Sequence, residues 1–351
     1  MAFYAGLDVH KEFIYAQVVD EHGKSILERK FMNTPQALDY FLECVEGSTE
    51  FVLEACGMYE PVYDRIEQKG FPVKVAHPLK TRAIASARIK TDAIDAKVLA
   101  NLLRTDLVAE SYVPSKEVRE LRSLVRRRAS LVRQRSHLKH QAHSILLKSG
   151  VSALMTDIFG KMGKLFLQQL ELPYAERLAL DNLLAIVESF DERINISDVA
   201  INGVVQATSS IKLLTTIPGV GNFSALLVYA DVDDIRRFKT AKQLCGYAGL
   251  VPSVYQSGNT ERRGSITKTG SRLLRWILVQ DAHKAVKSDP NLARFFEHLK
   301  KKKGTQKAIV AVARKILTYM HIMLTEGIEY QALSVHRKKQ ADTPVEPLSG
   351  S

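Results

Sequence analysis

Four acidic residues in this chain sit where acids are costly. Asp8 lies between Leu7 and Val9, and Glu54 between Leu53 and Ala55, each inside an apolar run that reads as a strand. A carboxylate buried there without a partner costs several kcal/mol or stays protonated, so such residues are exposed, paired or bound to a cation. Thr91-Asp92-Ala93-Ile94-Asp95 opens a helix that runs on through Leu99 and Leu102, and the three-residue spacing sets Asp92 and Asp95 on one face. The ordinary account is that Thr91 caps this helix and both aspartates favour its positive end. Against it, the stripe 92, 95, 99, 102 turns both acids toward the apolar side. Oxygen ligands select Mg2+ or Mn2+, and four acids can hold two such ions about 3.5 to 4 Å apart around a phosphodiester. No Cys or His cluster suggests another ion.

A second group of residues lies near the other end. Ile217-Pro218-Gly219-Val220-Gly221, followed by the apolar stretch Ala225 to Tyr229, reads as a helix-hairpin-helix turn. There Gly219 and Gly221 would let backbone N–H groups approach a phosphate. Gln256-Ser257-Gly258-Asn259-Thr260-Glu261-Arg262-Arg263-Gly264 reads as a polar loop leading through Lys268 and Gly270 into a helix with Arg272 and Arg275. Ser257, followed by Arg262, Arg263, Lys268 and Arg272, has the makings of a nucleophile whose developing charge is met by cations, although loop serines are far more often turn residues. Ser265-Ile266-Thr267-Lys268 and Lys268-Thr269-Gly270 mimic the penicillin-binding boxes, but they share one lysine and cannot fill both roles.

The elements that must hold these residues follow from periodicity. Phe3 to Val9, Ile14 to Val19 and Ser25 to Phe31 read as three strands, then Pro35 to Val45 as a helix, Glu50 to Ala55 as a strand, Tyr59 to Gln68 as a helix and Val73 to Ala76 as a strand. The order βββαβαβα implies a mixed sheet covered by helices. From Ser115 to about Ser149 one long helix is expected, with Arg119, Arg122, Arg126, Arg127, Arg128, Arg133, Arg135 and Lys139 interleaved among leucines and valines. Residues 180 to 204 carry heptads, with Leu180, Val187, Ile194 and Ile201 at one position and Leu183, Phe190, Ser197 and Val204 at the other. This is the pattern of a short coiled coil, for subunit pairing or for packing within the chain.

The charge separates along the same lines. The 351 residues carry 50 Lys and Arg against 38 Asp and Glu, a net charge of +12. Residues 1–110 hold 13 basic and 17 acidic groups, 111–148 hold 10 and 2, 149–211 hold 4 and 8, and 212–351 hold 23 and 11. An acidic domain, a basic helix, an acidic helix and a basic domain point to a polyanionic partner, with phosphate contact the use of the basic helix. Cys44, Cys56 and Cys245 have no CxxC spacing, which gives no support to a disulfide framework or zinc site and fits a reducing cytoplasm. Neither a leader at the start nor a run of about 18 apolar residues is seen, which sets secreted and membrane readings aside. The expected division is 1–110, a linker of basic helix and coiled coil over 111–211, a mostly α-helical domain over 212–335, and a disordered tail over 336–351.

Taken in order, Gly6-Leu7-Asp8-Val9, Leu53-Glu54-Ala55, Lys90-Thr91-Asp92-Ala93-Ile94-Asp95-Ala96, Ile217-Pro218-Gly219-Val220-Gly221, Tyr247-Ala248-Gly249-Leu250 with Pro252, and Gln256-Ser257-Gly258 form a set. The set resembles the DEDD-type insertion-sequence transposases, relatives of the pilin-gene invertases also described as bridge-RNA-guided recombinases, over roughly residues 3 to 330. The resemblance implies a RuvC-like, RNase H-type N-terminal domain in which Asp8, Glu54, Asp92 and Asp95 bind Mg2+. It also implies a C-terminal transposase domain with Ser257 as nucleophile, an active site composed from two subunits, and a structured RNA that pairs with donor and target DNA. Gln256 stands where relatives often carry Glu, so Ser265 and Ser271 remain alternatives to Ser257. Two other functions stay open: a RuvC-like junction-resolving nuclease using metal-activated water, and a non-catalytic nucleic-acid-binding protein with structural acids.

Overall fold

The computed structural model describes residues 1–85, 91–151, 157–257 and 260–332. The expected tail at 336–351 lies outside them. The chain divides into two compact units, Met1–Pro114 and Ser115–Ser351.

In the first unit, the strands β1 (Phe3–Val9), β2 (Phe13–Val19) and β3 (Ser25–Met32) lead into α1 (Pro35–Glu43), β4 (Thr49–Glu54), α2 (Tyr59–Gln68), β5 (Val73–Ala76), α3 (Pro78–Ile84) and α4 (Asp92–Arg104). The five strands form one sheet in the order β3-β2-β1-β4-β5, with β1 antiparallel to β2 and parallel to β4. Alternation along the strands sorts the side chains onto two faces. Ala5, Leu7 and Val9 of β1 join Phe51 and Leu53 of β4 in a core capped by Leu38, Phe41 and Leu42 of α1 and Val62 and Ile66 of α2. Val52 and Ala76 face the other way and meet Leu99 and Leu103 of α4. The unit runs past the expected end at residue 110, because Ala76 bridges to Glu110 and the Ser111 amide donates to the Val75 carbonyl.

The second unit begins with two long helices, α5 (Lys116–Lys148) and α7 (Tyr174–Ala207), with the short α6 (Lys161–Gln169) between them. Ser115 caps α5 by accepting from the Val118 amide. Leu180, Val187, Ile194 and Ile201 are buried, and α7 packs along α5 within the same chain. The chain continues with α8 (Ser209–Leu214), α9 (Asn222–Val232), α10 (Ala241–Tyr247), β6 (Pro252–Ser257), β7 (Thr260–Ile266), α11 (Arg272–Ser288), α12 (Pro290–Lys303) and α13 (Thr305–Glu326). By length and composition α13 is long and apolar enough to cross a membrane, although charged residues interrupt its apolar run. Here Val312, Ala313, Ile316, Leu317 and Met320 are buried in the core it shares with α9 and α11.

Gly6 fixes how near α4 comes to the sheet. A Cβ there would fall 2.5 Å from the Ala100 nitrogen and closer still to the Ala96 carbonyl oxygen, so the helix backbone lies directly on β1. Gly6→Ala is expected to lower stability by about 1–3 kcal/mol, as overpacking does, measured as a shift of the urea midpoint at unchanged slope.

Candidate metal centre and nucleic-acid interface

Close contact at Gly6 aligns the first turn of α4 with the end of β1. Asp8 is two residues beyond Gly6 on the same strand face, and Asp92 is one helical turn before Ala96. Thr91 caps α4 by accepting from the Ile94 amide. One oxygen each of Asp8 and Asp92 and one nitrogen of His10 lie within 4.8 Å of one another. The His10 Nε2 atom is 3.0 Å from Asp8 Oδ2 and 3.3 Å from Asp92 Oδ1. Burial pushes the Asp8 carboxyl up; the hydrogen bond and charge of His10 oppose that, and the charges of Asp92 and Asp95 add to it. A cation placed among these groups would relieve the same repulsion, so the residues fit a divalent metal.

The other two acids are placed differently. Leu7 pairs with Leu53 across the parallel β1 and β4, so Glu54 ends its strand beside Asp8 and shares the face of Val52. Glu54 is exposed and stands outside the trio of Asp8, His10 and Asp92, while Asp95 reaches Asp8 through its charge. His10 adds a nitrogen to a set for which the sequence pattern implies oxygen ligands only. The His10 backbone is tied down by the Asn33 side chain donating to its carbonyl, and its ring stacks on Phe13 with centroids 4.6 Å apart. The signal that could have found it is period two: Asp8 and His10 point to the same side of an extended chain.

The row of arginines on α5 is divided by its neighbours. Arg122 donates to the carbonyls of Ala230 and Asp231 at the end of α9. Arg128 binds Asp198 of α7 at 2.9 and 3.1 Å and covers the Phe223 ring, and Arg135 pairs with Asp191. Lys139 lies over Phe159, and Arg119 is half-buried. Arg126 reaches buried Asp231 at 3.3 Å yet keeps 57% of its side chain exposed. Arg127 and Arg133 face solvent. Of the expected phosphate-binding row, Arg126, Arg127 and Arg133 are exposed, while carbonyls of α9 engage Arg122, acids of α7 engage Arg128 and Arg135, and Lys139 lies over Phe159.

Gly219 adopts φ +92°, and a Cβ on it would meet the Ala285 nitrogen at 2.6 Å, so its geometry serves the packing of the turn on α11. Gly221 caps α9 with open space in front of it. The segment read as a polar loop is an antiparallel hairpin, in which Gln256 pairs with Glu261, Ser257 with Thr260 and Arg263 with Val254. Gly258 lies outside the described residues. Among the described side chains of the hairpin Val254, Tyr255 and Arg262 are exposed, which leaves no hydrophobic alternation to read there. Ser271 accepts from the Leu274 amide as the cap of α11, which commits its hydroxyl, whereas Ser265 is exposed on β7. Lys268 is exposed at a left-handed φ of 56°, and Arg272 is exposed in the first turn of α11.

Comparison with known proteins adds to this geometry. Residues 5–150 match the family DEDD_Tnp_IS110, described as transposase, and residues 211–297 match the transposase IS116/IS110/IS902 family. The chain belongs to the IS110 family of transposases. It is thus an enzyme that cleaves and rejoins DNA. It is 27% identical to the transposase for insertion sequence element IS1111A of Coxiella burnetii, over 93% of this chain and 90% of that one. A pilin gene-inverting protein of Moraxella bovis is 31% identical over 36% of this chain and 40% of its own length.

Two outcomes are expected. Mg2+ or Mn2+ raises the thermal unfolding midpoint and EDTA reverses the rise, and Asp8→Asn removes the response. In nucleic-acid titrations at several salt concentrations, Arg127→Gln with Arg133→Gln reduces the slope of log K against log salt by about two. Arg128→Gln acts mainly on stability.

Proposed function

We propose that this IS110-family transposase moves its insertion sequence through a phosphoserine intermediate. Asp8, Glu54, Asp92 and Asp95 hold Mg2+, with Mn2+ as substitute, and His10 stands beside them. The observation that carries the reading is the convergence of Asp8, His10 and Asp92 at the carboxyl end of β1. The strand order β3-β2-β1-β4-β5, with acids at the ends of β1 and β4, supports a RuvC-like, RNase H-type domain.

The bound metal would supply Lewis-acid stabilisation of charge on the phosphodiester oxygens. The Ser257 hydroxyl attacks phosphorus, an O–P bond to the enzyme forms, one strand P–O bond breaks, and the released strand end leaves as a hydroxyl carrying the proton. Attack by the hydroxyl of another strand end reverses these changes and frees Ser257. The phosphodiester energy is thereby kept, as rejoining without an external energy source requires. Arg262, Arg263, Lys268 and Arg272 follow Ser257 in the chain and are the cations assigned to the developing charge and the DNA backbone.

Arg126, Arg127 and Arg133 are assigned to the backbone of a structured guide RNA that pairs with donor and target DNA, the delegation of specificity that the family resemblance implies. Subunit pairing is assigned to the outward side of α7, where Leu178, Ile186, Ile196 and Val199 are exposed. The stripe of Leu180, Val187, Ile194 and Ile201 is used within the chain. The protein acts where that DNA is, in the cytoplasm.

Incubation with element-end DNA and Mg2+, followed by denaturing electrophoresis, is expected to give a covalent protein-DNA adduct that is absent in Ser257→Ala. Cleavage that survives Ser257→Ala but not Asp8→Ala would replace this reading with a metal-dependent junction nuclease.

A further inference from the structure

The exposed side of α11 carries a second feature. Leu274, Ile277, Leu278, Ala282 and Ala285 are buried against the core, which leaves Arg272, Trp276, Gln280, His283 and Lys287 exposed. Their spacing of four, four, three and four residues draws one line along the helix. Lys284 is exposed beside it. The one acid of the helix, Asp281, is turned inward, where it accepts from the Ser224 hydroxyl at 2.7 Å and burial pushes its carboxyl up to about 7. The line therefore has a cation at each end, Arg272 and Lys287, an aromatic ring between them and no exposed acid.

Trp276 is the single tryptophan of the chain and is 47% exposed. An indole half in water among cations forgoes burial that the nearby core could provide. Such a ring suits stacking on a flat, electron-rich surface whose attached charge is negative, which describes a nucleobase and its phosphates. A base inside a duplex has its faces covered, so the fit is to an unpaired strand.

The helix is also fastened to the hairpin that bears Ser257. Arg275 Nη1 donates to the carbonyls of Ala248 and Gly270, at 3.3 and 3.2 Å, and to that of Thr269. The Thr267 and Lys268 amides donate to the carbonyls of Val251 and Gly249, at 2.9 and 3.2 Å. The base of the hairpin and the first turns of α11 thus form one framework.

We propose that Trp276 stacks on an unpaired base of the DNA strand being cleaved, with Arg272, Lys284 and Lys287 holding its phosphates. The choice of DNA rests on the reading of Ser257 as the nucleophile, since the strand that reaches Ser257 is the one delivered to α11.

The test uses the full chain with Ser257→Ala, so that no strand is cut, titrated with a short single-stranded DNA. Fluorescence anisotropy of a label on the DNA follows binding, and intrinsic emission reports Trp276 alone. Quenching that saturates with the anisotropy is expected, together with affinity about 10-fold weaker in Trp276→Ala and largely kept in Trp276→Phe. Unchanged emission with DNA bound, equal affinity in a folded Trp276→Ala, or equal quenching by the matching duplex would overturn the proposal. So would stronger quenching by the RNA of the same sequence, or emission that varies with protein concentration alone, the sign of a second copy covering the ring. An adduct that persists in Ser257→Ala would remove the nucleophile reading and leave this titration intact.

Discussion

Where α4 crosses β1, no side chain separates the two backbones. Gly6 makes that crossing possible, and the site inherits its geometry from it. With the crossing point set, period two along the strand and the helical turn leave no freedom to move Asp8 and Asp92 apart. Asp8 and Asp92 offer oxygens within 4.8 Å of each other, and two like charges about 4 Å apart repel by about 4 kcal/mol at an effective dielectric of 20. Burial of Leu99 and Leu103 on the same helix is worth about 1.5–3 kcal/mol each, enough to hold α4 in place against the repulsion. The carboxylates are thus kept in an arrangement that their own charges oppose, the kind of local conflict found at binding sites.

The same logic governs the basic helix. Arg128 and Arg135 of α5 meet Asp198 and Asp191 of α7, and the rising numbers on one helix meet falling numbers on the other, as in an antiparallel pair. Two bases of the basic block thus have their partners in the acidic block. Isolated exposed pairs contribute little, but Arg128 is bidentate and also covers Phe223, so it orders the contact. Outside this pairing with α7, Arg127 and Arg133 face solvent, and Arg126 is largely exposed although it reaches Asp231.

Much of the first unit could be read from its sequence. β1, β2 and β4 keep one face buried throughout and bury part of the other, so they stand out as short apolar runs, α2 shows a helical apolar stripe, and Thr91 marks the start of α4. The acids at Asp8 and Glu54 stood out because they interrupt apolar strands. Partners distant in sequence leave no such trace: Arg122 and Ala230 are 108 residues apart. The hairpin β6-β7 reads as a loop because its exposed residues Val254, Tyr255 and Arg262 give no apolar side that alternates with a polar one. His10 is hidden for a different reason, since a single histidine after a strand reads as a turn residue, and Asp92, distant in the sequence, is what gives it a partner.

The two family matches end at residue 150 and resume at residue 211, whereas the structural units meet at Pro114 and Ser115. The first match therefore takes in α5 together with the acidic sheet, although α5 packs with α7 and α9 in the second unit. The unmatched stretch contains α7, whose requirements are few: an apolar stripe toward α5 and acids at Asp191 and Asp198. Many sequences meet such terms. A strand end that brings Asp8 and His10 up to Asp92 admits few replacements, since the residue types, the glycine beneath them and the helix cap must all be present together. The difference between the matched and unmatched stretches follows from how many positions each physical task fixes.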